Sequence, residues 1–231
     1  MHQIFTNANL FTAKDHKASP NSTVWVEGNK IRYAGPSDEL PETPPDAFLH
    51  DLKGKFLMPG MTETHAHLSF SDASPFGIGD TTVEDATITA VKNSRLMLAS
   101  GFTSAVSFGS TYTIDVALRA AINNGKIIGP RLRAAGRDLG ATASNIDSGG
   151  GLSQIADGPW ALRKAVREQR KLGVDIVKIF IDGEAINSQN PPGELSFTDE
   201  EVNAIVEEAH RRNMRVACHA RSAIAVKQAV K

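Results

Sequence analysis

The chain of 231 residues is 41% hydrophobic and 22% charged, with a formal net charge of -1. That composition supports a sizeable apolar core, and the scattered Lys and Arg residues exclude both a basic stripe for nucleic acid and a charged disordered tail. A single cysteine, Cys218, excludes an internal disulfide. The absence of a leader-like N-terminus or a long apolar run predicts a cytoplasmic protein with no membrane partner.

Residues 1–58 read as short strands: "HQIFTNANLFT", "STVWVEGNKIRYAG" and "FLHDLKGKFLMPG", with "EGNK" as a hairpin turn and "PSDELPETPPDA" as a loop. This predicts a small β unit over 1–58. About 58 residues is marginal for independent stability, so the unit is expected to lean on residues 59–231 or to pair with strands beyond Lys231.

From Pro59 the pattern alternates. "MTETHAHL" reads as strand and "TVEDATITAVKNSRLMLASG" as helix, with Thr81 and Glu84 placed as a capping box and Gly101 as the terminating glycine. "FTSAVSF" is strand and "IDVALRAAINNGK" helix. "PRLRAAGRD" leads into the long loop "LGATASNIDSGGG" and the helix "GPWALRKAVREQRKLG". "VDIVKIFI" is strand, and "TDEEVNAIVEEAHRRNM" is helix behind a second capping box, Thr198 and Glu201. "RVACHA" is strand and "SAIAVKQAVK" begins a helix. Five β-α repeats over 59–231 imply parallel strands with right-handed crossovers. Two architectures fit, a (β/α)8 barrel or an open doubly wound sheet.

His65 and His67 stand two apart in a strand, so they share a face. Two neighbouring imidazoles are served by one divalent cation, or each by its own hydrogen bond, and His-x-His alone leaves both open. Lys178 interrupts an apolar strand, where an ammonium is costly. It needs an internal acid, such as Glu63 on the histidine face, or a change of chemical state. In "RVACHARS", alternation puts Ala217, His219 and Arg221 on one face and turns Cys218 to the helix layer as an apolar filler. Three strands each carrying a ligand-capable residue on an interior face favour a metal site at the strands' carboxyl ends.

"LMPGMTETHAHL" resembles the opening barrel motif of the amidohydrolase superfamily. "SGFTSAVSFGS", "GPRLRAAGRDL", "GVDIVKIFIDGE" and "LSFTDEEVNAIVEEAHRRNMRVACHA" resemble the later strands of its imidazolonepropionase-like and metal-dependent dipeptidase branch. The resemblance implies a (β/α)8 TIM barrel of which strands 1–5 are present. It implies that His65 and His67 bind one metal and His219 a second. Lys178, carboxylated by carbon dioxide, would bridge the two divalent ions, expected to be zinc. It further implies hydrolysis of an amide or peptide-type C–N bond by a metal-activated bridging water.

The superfamily's strand-six histidine and strand-eight aspartate have no counterpart before Lys231, so no catalytic acid or base is assigned in this chain, which alone is expected to be inactive. His2, His16, His50 and His210 read as solvated. The loop after strand three lacks the histidine that many relatives carry there. A mononuclear deaminase is the first alternative, disfavoured by the presence of Lys178 and by Ser222 where a glutamate is usual. A catalytically silent scaffold is the second, and it is disfavoured by the retained ligands. Arg221 is the candidate substrate-binding residue, a grip for the carboxylate of a dipeptide or N-acyl amino acid, set against an ion pair with Asp182 or Glu184. The expected partner is a small-molecule substrate, and the expected assembly a homo-oligomer.

Overall fold

The computed structural model describes residues 1–71, 81–147, 151–184 and 190–231. They form two units, Met1–Gly60 and Met61–Lys231. In the first, β1 (His2–Leu10) is the hub of a five-stranded sheet. It pairs antiparallel with β2 (Ser19–Glu27), which pairs with β3 (Lys30–Pro36), and parallel with β4 (Phe48–Asp51) and β5 (Phe56–Leu57). The β2–β3 hairpin turns through Gly28 at φ +58, a left-handed conformation glycine adopts without a Cβ clash. Ile4, Ala8, Leu10 and Val24 are buried, while Phe48, Leu49 and Phe56 on β4 and β5 are exposed.

The second unit holds β6 (Met61–Ala66), α1 (Val83–Ala99), β7 (Phe102–Ser107), α2 (Ile114–Asn123), β8 (Arg131–Arg133), β9 (Asp138–Gly140), β10 (Ser153–Ile155), α3 (Pro159–Leu172), β11 (Ile176–Phe180), α4 (Asp199–His210), β12 (Arg215–His219) and α5 (Ala223–Val230). All its strand pairs are parallel, in the orders β6-β7-β8 and β10-β9-β11-β12. Apart from the short β10, the strands follow chain order without reversal. A doubly wound sheet reverses at a switch point, so this is the winding of a barrel, five β-α units of the eight that close one.

The predicted third strand is split. β8 pairs with β7, β9 pairs with β11, and residues 134–137 break the run, with Gly136 at φ +67. Two acids satisfy the amides of the break. Asp115 Oδ2 accepts the N–H groups of Ala135 and Gly136 at 2.9 and 3.0 Å, and Asp175 Oδ2 accepts that of Ala134 at 2.8 Å. An unpaired buried amide is costly, so the break is a built feature that turns β9 into the site.

Two apolar clusters cover the helix side of the sheet. Ala66, Ala105 and Leu132 pack under α1 and α2, and Leu139, Val177 and Ile179 pack under α3 and α4. The cap of α1 is Thr82, accepting from Asp85 N at 3.2 Å, one residue later than the Thr81–Glu84 reading. The Thr198–Glu201 capping box stands at the start of α4. Part of the glycine-rich loop, 148–150, lies outside the described residues. No helix among the described residues is long and apolar enough to cross a membrane.

Candidate functional site

The site residues lie at or just beyond the carboxyl ends of β6, β7 and β12, at the centre of β11 and at the first residue of β9. His65 and His67 project together, with ring centroids 5.2 Å apart. Their strand carries a bulge between Glu63 and Ala66, since Glu63 pairs with Ala105 and Ala66 with Ser107. The extra residue changes the parity. Glu63 aligns with Ala105, whose side chain faces the helices, and its Oε1 accepts the His65 backbone N–H at 3.0 Å. It therefore does not share the face of Lys178, and the predicted Lys178–Glu63 pair is absent.

His67 is held on two sides. Its Nδ1 lies 3.1 Å from the Gly109 carbonyl oxygen, and its ring stacks on Phe70 at 4.6 Å. A carbonyl only accepts, so Nδ1 carries the hydrogen and the neutral ring keeps its lone pair on Nε2. Asn93 of α1 secures the Phe70 segment by donating to the carbonyls of Leu68 and Phe70 at 3.0 and 2.9 Å. A cavity of about 490 Å³ opens between β6 and α1, lined by Glu63, Asn93, Leu96, Met97 and Ser100, with His65 and His67 on its edge.

Lys178 is 1% exposed at the middle of β11. Its Nζ sits 5.3 Å from the ring centre of Phe108 and 5.0 Å from that of Phe180, and it has no ion-pair partner among the described residues. Phe108 also meets His65 edge-on at 4.9 Å, and Phe180 stacks on His219 at 4.6 Å. The two phenylalanines thus join His65, Lys178 and His219 in one arc. Burial pushes the Lys178 ammonium below its ordinary range, opposed by the charge of Asp138. Burial also lowers all three histidines, aided by the Lys178 charge. His67 falls to about 4, so the imidazoles are neutral near pH 7 with lone pairs available.

His219 Nε2 lies 3.2 Å from Glu184 Oε1 but is not aligned to it as a hydrogen bond. Glu184 also pairs with Arg221, whose side chain is 47% exposed. This is the ion pair set against substrate binding from the sequence, made with Glu184. The other acid named there, Asp182, instead accepts backbone N–H groups from Arg221 at 2.9 Å and from Gly193 and Ser222 at 3.0 Å, tying the ends of β11 and β12 together. Cys218 is exposed, against the expectation of a buried filler, because among the described residues β12 pairs with β11 alone.

Sequence reasoning missed Asp138, which is 2% exposed, with an Oδ1 that has no partner among the described residues. Burial pushes its carboxyl up to about 8, opposed by Lys178. The signal was an acid inside a strand, but the break at 134–137 hid its parity.

Among the described residues, no three His, Cys, Asp or Glu side chains gather closely enough to hold a metal ion by themselves. The donor chemistry nonetheless fits a divalent cation: neutral imidazoles, a lysine without an ion partner, and two orphaned buried atoms, His219 Nε2 and Asp138 Oδ1.

Known proteins share this framework. A crystal structure of an amidohydrolase superposes with TM-score 0.90 at 28% identity, covering 100% of this chain and 59% of its own. A prolidase complexed with N-methylphosphonate-L-proline does so with TM-score 0.90 at 26% identity, again covering 100% and 59%. Ochratoxinase from Aspergillus niger is 28% identical over 251 residues, covering 97% of this chain and 51% of the enzyme. The chain therefore spans about half the length of the curated relative it matches. The model of the amidohydrolase family matches residues 56–231, which takes in every residue of the arc, and the chain belongs to that family.

Proposed function

We propose that the full-length protein is a metal-dependent hydrolase of an amide or peptide-type C–N bond. The observation that carries this is Lys178, fully buried between His65 and His219 without an ion partner among the described residues. A buried amine is held toward its neutral, nucleophilic form. Its nitrogen adds to the carbon of carbon dioxide, forming an N–C bond and releasing one proton. The product is a carbamate, an anion.

His65 and His67 would hold one divalent ion with this carbamate, and His219 would hold the second. Zinc suits the imidazole and oxygen donors. When bound, such ions polarise a carbonyl and lower the pKa of water. The chain's own residues prepare the site. The Gly109 carbonyl fixes the His67 tautomer so that Nε2 is bare, an orienting role common around metal-bound histidines. Phe108 and Phe180 wall Lys178 with apolar surface, which strengthens electrostatic interactions inside. Arg221 is read as the substrate carboxylate grip. Glu184 takes only part of its fork of five N–H donors, and the ochratoxinase and prolidase relatives suit a dipeptide or N-acyl amino acid substrate. We read the protein as a cytoplasmic homo-oligomer acting on a small molecule. No catalytic acid or base is assigned within residues 1–231.

The test is metal content and hydrolysis of dipeptides and N-acyl amino acids by the full-length protein. The expected result is two divalent ions per chain, lost together with turnover in Lys178→Ala. Full turnover by protein stripped of metal overturns the reading.

A further inference from the structure

Asp138 stands in this site without a partner. It is 2% exposed, and its Oδ1 makes no hydrogen bond among the described residues. Buried carboxyl oxygens are rarely left so, and an exception calls for an explanation.

Strand pairing says where a partner lies. Leu139 of β9 pairs with Ile179 of β11, and both side chains lie in the apolar cluster under the helices. Asp138 and Lys178, each one residue earlier, therefore point to the opposite face, on strands spaced about 4.8 Å apart. Gly109 seats the acid from the other side. Its φ is +120, and a Cβ there would stand 2.6 Å from Asp138 Oδ1. The same glycine's carbonyl takes the His67 Nδ1 hydrogen at 3.1 Å. One bare backbone position thus sets both the orphan acid and a metal-site imidazole.

Resting on the reading of Lys178 as a carboxylated ligand, we propose that Asp138 is a positioning residue for Lys178, accepting a hydrogen bond from its Nζ. An ammonium, an amine and a carbamate nitrogen all keep an N–H to donate, so the hydrogen bond would be available before and after carboxylation and would orient the carbamate. Besides Asp138, the faces of Phe108 and Phe180 lie near Nζ among the described residues.

The experiment uses the full-length protein and two readouts besides turnover. One is the lysine carbamate signal in carbon-13 NMR with labelled bicarbonate, and the other is zinc affinity by competition with a chelator. Asp138→Ala is expected to weaken zinc binding by roughly 10–100-fold, the usual cost of losing a residue that orients a metal ligand. It should also lower carbamate occupancy, with recovery at high bicarbonate. Asp138→Asn keeps an acceptor oxygen and should stay near wild type. Asp138→Leu fills the space without an acceptor and carries the test if the alanine variant does not fold. Unchanged zinc affinity and carbamate occupancy in a folded Asp138→Ala or Asp138→Leu protein overturns the proposal. Lys178→Ala, run alongside, separates the two claims. If it loses zinc while Asp138→Ala does not, the ligand reading stands and the positioning role falls. If Lys178→Ala keeps its zinc, the ligand reading falls and the proposal with it.

Discussion

Glu208 and Asp138 are both buried acids of the second unit, 1% and 2% exposed, and they are treated in opposite ways. Glu208 on α4 receives Arg167 Nε at 2.8 Å and also pairs with Arg163 and Arg212. The Arg167 hydrogen bond leads the effects that hold its carboxyl below the usual range. Asp138 on β9 has no cation in ion-pair reach among the described residues, and burial raises its carboxyl to about 8. The first charge lies in the helix layer and is completed by this chain's own arginines. The second lies on the interior face beside Lys178 and is left open. Open, buried, titratable groups that converge on one face are the physical signature of a site, and completed ones are the signature of a scaffold.

The largest effect expected along that divide is on Lys178. Lys178→Ala should reduce kcat/KM by roughly 10⁴-fold, the scale of losing an essential member of a catalytic unit. With both proteins metal-free, so that lost metal binding does not enter, the melting temperature should hardly fall. Lys178→Met should be neutral or stabilising, because it removes a buried amine that has no ion partner. Paired thermal melts and steady-state kinetics check this. A collapse of folding in Lys178→Met would place Lys178 with the scaffold.

Glu208→Ala should do the reverse. The arginines it leaves behind are 20–54% exposed, so the loss is that of charged hydrogen bonds rather than of a stranded buried charge, about 1.5–3 kcal/mol, while kcat/KM of the folded fraction should hold. The two acids should also differ in the sign of their pH dependence. Glu208 has a folded pKa below 4.5, so its stabilisation is present above pH 4.5 and lost as pH falls through the folded value. Asp138 is raised from 3.8 to about 8, so across that window the native acid holds a proton that the unfolded chain has released. Stability then falls as pH rises. Urea midpoints of metal-free protein across that range should show Glu208→Gln flattening the acid limb and Asp138→Asn flattening the neutral one. Loss of the same limb in both variants would erase the distinction.

How much of this was legible in the sequence depended on parity. The apolar run around Lys178 keeps strict alternation through β11 and β12, so Lys178 and His219 could be assigned a face from the chain alone. In β6 a bulge shifts the count between Glu63 and Ala66, which is why Glu63 looked like a partner for Lys178 and is not. In the third strand the break at 134–137 hid Asp138, because a count begun at Arg131 means nothing beyond Gly136. Cys218 was misplaced for another reason. Alternation gives a direction, but coverage depends on neighbouring strands, and among the described residues β12 has β11 alone beside it. The α1 cap moved by one residue because Thr81 and Thr82 both precede a suitable acid.

Arg221 falls between the two kinds of charge and should show the smallest effect. It has a partner, Glu184, as a scaffold charge does, yet its side chain is 47% exposed beside His219, as a substrate contact would be. Exposed ion pairs contribute only about 0–1 kcal/mol, so Arg221→Ala should scarcely change stability. If the guanidinium grips a substrate carboxylate, the loss is selective, about 1.5–3 kcal/mol in kcat/KM on a substrate with a free carboxylate. There should be little loss on its amide or ester analogue. Glu184→Gln keeps the shape but frees the guanidinium, and should lower KM for the carboxylate substrate. Arg221→Lys should recover little, because a single ammonium cannot reproduce the paired geometry. Equal losses on the charged and neutral substrates would assign Arg221 to the loop that Asp182 ties together, and leave carboxylate recognition to other residues.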